Sequence, residues 1–139
     1  MKLGFVSAIL DQYDFERMID TAASVGFQCV EIACWPKMKA ERRYAGVSHI
    51  DVDRILADDG YAAYINEYSE KTGVAISSLA FYPNTIDGDI DKRNMNIAHL
   101  KKVIRASAKL GVNMVTTFIG RDQTKPAEEN LDIVREIWP

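Results

Sequence analysis

The sequence predicts an α/β fold: four βα units of a parallel sheet, amounting to half of an eight-unit (β/α)8 barrel. A repeated junction is the first observation behind this. The stretches "SVGFQCVEI" (24–32), "KTGVAISSL" (71–79) and "KLGVNMVTT" (109–117) each end a helix, place a glycine and begin an apolar strand. Glycine suits that point because it enters the left-handed conformation without a Cβ clash. Lys71 and Lys109 stand where a cation meets the negative end of a helix dipole. The second observation is helical spacing ahead of each junction. The third is length: 139 residues hold four such units, against roughly 250 residues for a complete barrel.

In chain order, the first strand is expected at about 2–8. A helix follows at 14–25, where Phe15, Met18, Ile19, Ala22 and Ala23 fall on one stripe. A second strand spans 28–34. The next helix, 59–72, repeats the spacing with Tyr61, Tyr64, Ile65 and Tyr68, which reads as a core-facing set. A third strand at 74–81 leads to a long helix at 92–110, with Ile97, Leu100, Ile104, Ser107 and Ala108 as its stripe. A fourth strand occupies 112–119. The last helix opens at "KPAEEN", with Pro126 at its first position, Glu128 and Glu129 in its first turn, and Leu131, Val134 and Trp138 as its apolar side.

Alternation of this kind implies parallel strands with right-handed crossovers, in either an open doubly wound sheet or a TIM-type barrel. The last helix stops at "REIWP" without a glycine cap. Four strands leave two sheet edges open to pairing. The expectation is therefore a single partial TIM-barrel domain over 1–139, either a fragment or a module that pairs with another chain, itself included.

Composition narrows the function classes. Apolar residues are 47% and charged residues 27%, a normal globular balance. The net charge of −3, from 17 basic and 20 acidic residues, argues against binding nucleic acid through a general basic surface. No apolar run approaches the length of a membrane span, and "MKLGFVSAIL" reads as a first strand rather than a signal peptide. Cys29 and Cys34 lie five apart on one strand, too distant to bridge at about 3.3 Å per residue. A cytoplasmic location is expected.

Familiar motifs are missing. No GxGxxG follows the first strand, and there is no GxxxxGK[ST] or GxSxG. The acidic cluster of a phospho-receiver domain is absent where "VSAIL" and "LAFYPN" stand. Two cysteines and two histidines make no zinc signature. The strand C-termini, where parallel α/β proteins keep their chemistry, are more informative. Strand two runs into a long loop, 35–58, containing "CWPKMKAERRYAGVSHIDVD" from residue 34; strand three runs into "FYPNTIDGD", and strand four into "FIGRDQ". Each brings an aromatic and polar groups to one rim, a composition suited to a polyhydroxy or ring-bearing ligand.

"VEIACWP", "RRYAGVSHIDVD", "LAFYPN" and "LGVNMVTTFIGRD" together resemble the sugar phosphate isomerase/epimerase family, xylose-isomerase-like TIM barrels related to endonuclease-IV-type metal hydrolases. The resemblance covers the N-terminal half of that fold. It implies metal-assisted proton transfer beside a sugar carbonyl, with a divalent metal such as manganese. Metal ligands and catalytic acids are then expected from later strands, so this chain supplies none of its own.

Six residues are the candidate ligand contacts. Glu31 sits mid-strand opposite in sense to Val30 and Ile32, so it points into the barrel; it either meets a ligand or pairs with a lysine or arginine from another strand. Trp35 walls the pocket or covers the barrel top. His49, near Asp51 and Asp53, binds metal or substrate, shuttles a proton, or holds local backbone. Tyr82 and Asn84 contact sugar or form a tight turn. Arg121 meets a phosphate or pairs with Asp122. Lys37, Lys39, Arg42 and Arg43 form an electropositive rim or a solvated loop face. His99 reads as helix surface. Two other functions compete: a non-catalytic half-barrel that self-assembles through its sheet edges, and an endonuclease-IV-like hydrolase.

Overall fold

The computed structural model describes residues 1–36 and 45–138. Four strands form one parallel sheet in sequential order: β1 (Gly4–Val6), β2 (Cys29–Ala33), β3 (Ala75–Ala80) and β4 (Val115–Thr116). A 3-10 turn (Ser7–Leu10) and α1 (Phe15–Ser24) follow β1. The helices α2 (Val52–Ala57) and α3 (Asp59–Thr72) follow β2, α4 (Ile90–Leu110) follows β3, and α5 (Ala127–Ile137) follows β4. This is a partial (β/α)8 barrel.

Local chemistry sets the helix boundaries. Asp14, Asp51, Asp58 and Asp89 cap α1, α2, α3 and α4, each accepting a backbone N–H of the first turn. Such a cap contributes on the order of 1 kcal/mol. Gly73 and Gly111 close α3 and α4 at φ +75 and +70. The core lies between sheet and helices. Val30, Ile32 and Leu79 pack there against Phe15, Met18 and Ile19 of α1, Ile65 of α3, and Leu100 and Val103 of α4.

Several expectations need correction. The stretch after β2 is not one loop, because residues 52–57 form α2, whose Val52 and Ile55 are buried. The buried side of α4 is Leu100, Val103, Ala106, Ser107 and Leu110; Ile104 is exposed. Of the α3 tyrosines, Tyr61 and Tyr68 are partly buried and pack against the core beside Ala62 and Ile65, whereas Tyr64 is exposed. Tyr64 and Tyr68 donate their hydroxyls to Glu16 and Asp20 of α1. On α5 Leu131 is exposed, Pro126 is the cap rather than the first helical residue, and Asn130 is the buried position. β4 is shorter than expected, and among the described residues it has a ladder partner on one side only. Lys37, Lys39, Arg42 and Arg43 lie outside the described residues.

Candidate functional site

The inner face of β2 presents Glu31. Its carboxylate accepts a hydrogen bond from Ser78 Oγ at 2.8 Å and another from the Tyr82 hydroxyl. Among the described residues the partners are hydroxyls, not the lysine or arginine weighed from sequence. A β-bulge makes the contact. Val30 is in register with Ile76 and Glu31 with Ser78, so Ser77 is the extra residue. Ser77 Oγ donates to the Val30 carbonyl at 3.0 Å and fills the interruption. The shift also lets Ile76 and Leu79, three apart, both face the helical core, which strict alternation forbids.

Aromatic rings line the C-terminal rim above the carboxylate. Trp35 lies 5.7 Å from Tyr82 and 5.7 Å from Phe81, and Tyr82 lies 4.7 Å from Phe118, centroid to centroid. Phe81 is buried and supports the wall from behind, whereas Phe118 is exposed. The Tyr82 hydroxyl also lies 3.2 Å from Thr116 Oγ1. Burial first, and the adjoining Glu31 carboxylate second, push the Tyr82 phenol above its ordinary pKa, so it stays protonated and donates.

Asn84 and Arg121 meet, but through backbone. Asn84 Oδ1 accepts from the amides of Arg121 and Ile86, both at 3.0 Å, and Nδ2 donates to the Arg121 carbonyl at 2.7 Å. The amide thus clamps the loop after β3 to the loop after β4. Gly120 permits this, with φ +92 and an added Cβ falling 1.9 Å from Asn84 Oδ1. The Arg121 side chain is exposed. Asp122 does not pair with it; that carboxylate accepts from Thr124 N–H and Oγ1, which hold it below the usual carboxylate range.

His49 is separated from the aromatic wall. It is buried, with Nδ1 3.0 Å from Ser7 Oγ and Nε2 3.2 Å from the Leu10 carbonyl. Burial holds its pKa below the ordinary histidine value. The neighbouring acids are employed elsewhere: Asp51 caps α2, and Asp53 pairs with Lys102 at 2.8 Å. His99 is more than helix surface. Its Nε2 donates to the Cys34 carbonyl at 2.7 Å, and its ring packs on Phe81 at 4.6 Å, tying α4 to the end of β2. A cleft of about 450 Å³ lies on the outer flank of this junction, between Trp35, Ile50, Asp53, Met95, His99 and Lys102.

Of the six sequence candidates, Glu31, Trp35 and Tyr82 converge. Asn84 and Arg121 form a neighbouring clamp, and His49 lies beneath the loops. Ser78, Thr116 and Phe118 complete the cluster. Phe118 is recognisable as the aromatic ending strand four. Ser78 carries no such signal, because only the bulge sets it opposite Glu31.

Among the described residues no group of three or more His, Cys, Asp or Glu side chains could hold a metal ion. Both oxygens of Glu31 accept from hydroxyls, and both ring nitrogens of His49 are engaged. These residues do not fit a metal centre of their own.

The family model for xylose isomerase-like TIM barrels matches residues 19–138. The chain belongs to that family. No curated protein sequence matches it. Solved structures similar to this family member include a xylose isomerase-like TIM barrel/4-hydroxyphenylpyruvate dioxygenase fusion protein, at TM-score 0.61 and 16% identity, with 99% of this chain and 19% of that one covered. A protein of Sinorhizobium meliloti 1021 aligns at TM-score 0.57 and 14% identity, over 98% of this chain and 42% of its own. The probable 3-DHS dehydratase AsbF of Bacillus anthracis, involved in petrobactin synthesis, aligns at TM-score 0.59 and 13% identity, over 99% and 47%. At these identities the likeness is one of fold. The chain spans less than half the length of each of these proteins. Among the described residues no helix is long and apolar enough to cross a membrane.

Proposed function

We propose that this chain supplies the N-terminal ligand-binding wall of a sugar or sugar-phosphate isomerase/epimerase, an enzyme moving a proton beside a carbonyl. One observation carries the reading. Glu31 is an anionic acceptor held by two hydroxyl donors, beneath a wall of Trp35, Tyr82 and Phe118. A carboxylate so placed accepts hydrogen bonds from ligand hydroxyls, while ring faces cover the C–H side of a sugar. Arg121, exposed on the adjoining loop, is the group for a ligand phosphate. The clamp made by Asn84 fixes where that arginine emerges. The metal and the proton-transferring acids that the family resemblance implies would come from residues outside this chain. AsbF, a probable dehydratase on the same fold, marks a competing reaction class.

The test is ligand binding. The 139-residue protein is titrated with aldose and ketose phosphates, and the resonances of Trp35, Tyr82 and Phe118 are followed by NMR. Saturable binding at those rings, weakened by Glu31→Gln, supports the reading. No binding, or binding that Glu31→Gln leaves unchanged, overturns the proposal. Nicking of abasic DNA would favour the hydrolase instead.

A second reading rests on the sheet edges. Among the described residues β1 and β4 each pair on one side only, and Leu3, Met114, Phe118 and Ile119 are exposed near those edges. A second copy covering them would give a homo-oligomer. Light scattering on the purified chain tests this: a sharp dimer supports self-assembly, and a monomer rejects it.

A further inference from the structure

Beneath the rim, one buried string of hydrogen bonds joins two loops. The amide of Ala33, the last residue of β2, donates to Ser7 Oγ at 2.9 Å. Ser7 is fully buried, and its hydroxyl lies 3.0 Å from His49 Nδ1. His49 Nε2 faces the Leu10 carbonyl at 3.2 Å. A carbonyl only accepts, so Nε2 carries the proton and Nδ1 is left to accept from Ser7. Every donor then has one acceptor, and the string satisfies its members only with a neutral ring.

The same histidine fixes the segment that leads back to Trp35. The His49 amide donates to the Ala33 carbonyl at 3.2 Å, and the Trp35 amide donates to the Val47 carbonyl at 3.2 Å. Cys34 and Ser48 form an isolated antiparallel bridge between them. Residues 47–49 therefore lie across the end of β2, and the imidazole pins them to the 3-10 turn after β1.

We propose that His49 is a proton-controlled latch: neutral, it ties the Ser7–Leu10 turn and the 47–50 segment to the end of β2, and protonated, it releases them and frees Trp35. A proton on Nδ1 removes the acceptor of the Ser7 hydroxyl and turns a second donor toward Ser7 Oγ, which already receives the Ala33 amide. It also leaves a cation at a position only 6% exposed, which is costly without water or a direct counter-ion. The surrounding groups divide. Asp11 and Asp14, on the segment leading into α1, favour the cation from a distance, while burial opposes it more strongly. The adjoining cleft adds Glu16 of α1, Asp51 and Arg54 around α2, and Tyr61 and Tyr64 of α3. The Ala33 carbonyl of β2 accepts the His49 amide. Because the folded-state pKa is lowered, the neutral latch contributes its full stability above the unfolded value of 6.5 and loses it as pH falls toward the folded value. The latch stands independently of the sugar-binding reading.

Nitrogen-15 NMR on the whole chain tests it. The imidazole nitrogens of His49 and backbone hydrogen exchange are followed from about pH 7.5 to about pH 4.5. The expected result is a protonated Nε2 and a bare Nδ1 at the upper end. On acidification, protection of the Ala33 and His49 amides falls about tenfold or more, following the His49 midpoint. The amides of Leu79 and Phe81, bonded to β4 and its flank, keep theirs. His49→Gln, which retains a donor and an acceptor but does not titrate, abolishes the pH dependence; if that variant fails to fold, the wild-type titration alone decides. Simultaneous loss at all four amides, titration without loss, or no titration in the range overturns the latch.

Discussion

The two faces of β2 are built from neighbouring residues and differ in kind. Val30 and Ile32 point to the helices and are fully buried among aliphatic and aromatic side chains. Glu31, between them, points the other way and is half-buried under hydroxyls and rings. The outer face stabilises by removing apolar area from water, which is non-directional and tolerant of which apolar neighbour supplies the contact. The inner face depends on a few directional contacts, each to a particular hydroxyl. Apolar burial and directional hydrogen bonding thus alternate along one strand.

The largest expected effect falls on the outer face. Ile32→Ala should cost about 2–5 kcal/mol, because the transfer loss adds to a cavity that neighbouring strands cannot fill. Urea unfolding measures it; a loss near zero would break the contrast between the faces. Next is Gly120→Ala, which combines a positive φ with a clash on Asn84 and should cost about 1–3 kcal/mol. The amide resonances of Arg121 and Ile86 should shift with it, and an unchanged spectrum would refute the clamp.

On the inner face, Glu31→Leu strands the Ser78 and Tyr82 hydroxyls and should cost about 1–3 kcal/mol, while Glu31→Gln keeps an acceptor and should cost about 1 kcal/mol or less. Ligand binding should suffer in both. Equal stability losses for the two would show that charge, not the acceptor, holds the cluster. The smallest effect concerns α4. Ile104→Ala should stay within about 0.5 kcal/mol, and Val103→Ala should approach about 2 kcal/mol. A reversal would return the buried face to the stripe expected from spacing.

That helix shows how periodicity misleads. Leu100 and Ser107 are buried as expected, but the true face runs through Val103, Ala106 and Leu110, with Ile104 turned to solvent. Over 21 residues several apolar stripes fit, and packing against β3, α2 and α3 selects one. The α1 stripe is short and unambiguous, and its first four positions are all buried. At the site, Trp35 and Tyr82 were readable as residues at strand ends, and Glu31 as a carboxylate between two β-branched neighbours in mid-strand. His49 was readable as a candidate, but not its burial, since that depends on Ser7 and Leu10, about forty residues away in sequence.

By itself the sequence determined the alternation of four strands with their main helices, the glycine boundaries, and which face of β2 is apolar. These follow from interactions within a few residues: caps, left-handed glycines and the alternation of a strand. Only tertiary structure decided that hydroxyls hold Glu31, that Asn84 serves backbone, and that His49 joins two loops. Each of those rests on a long-range register, a bulge or a loop crossing, where hydrogen-bond geometry fixes the partner and local propensity has no influence.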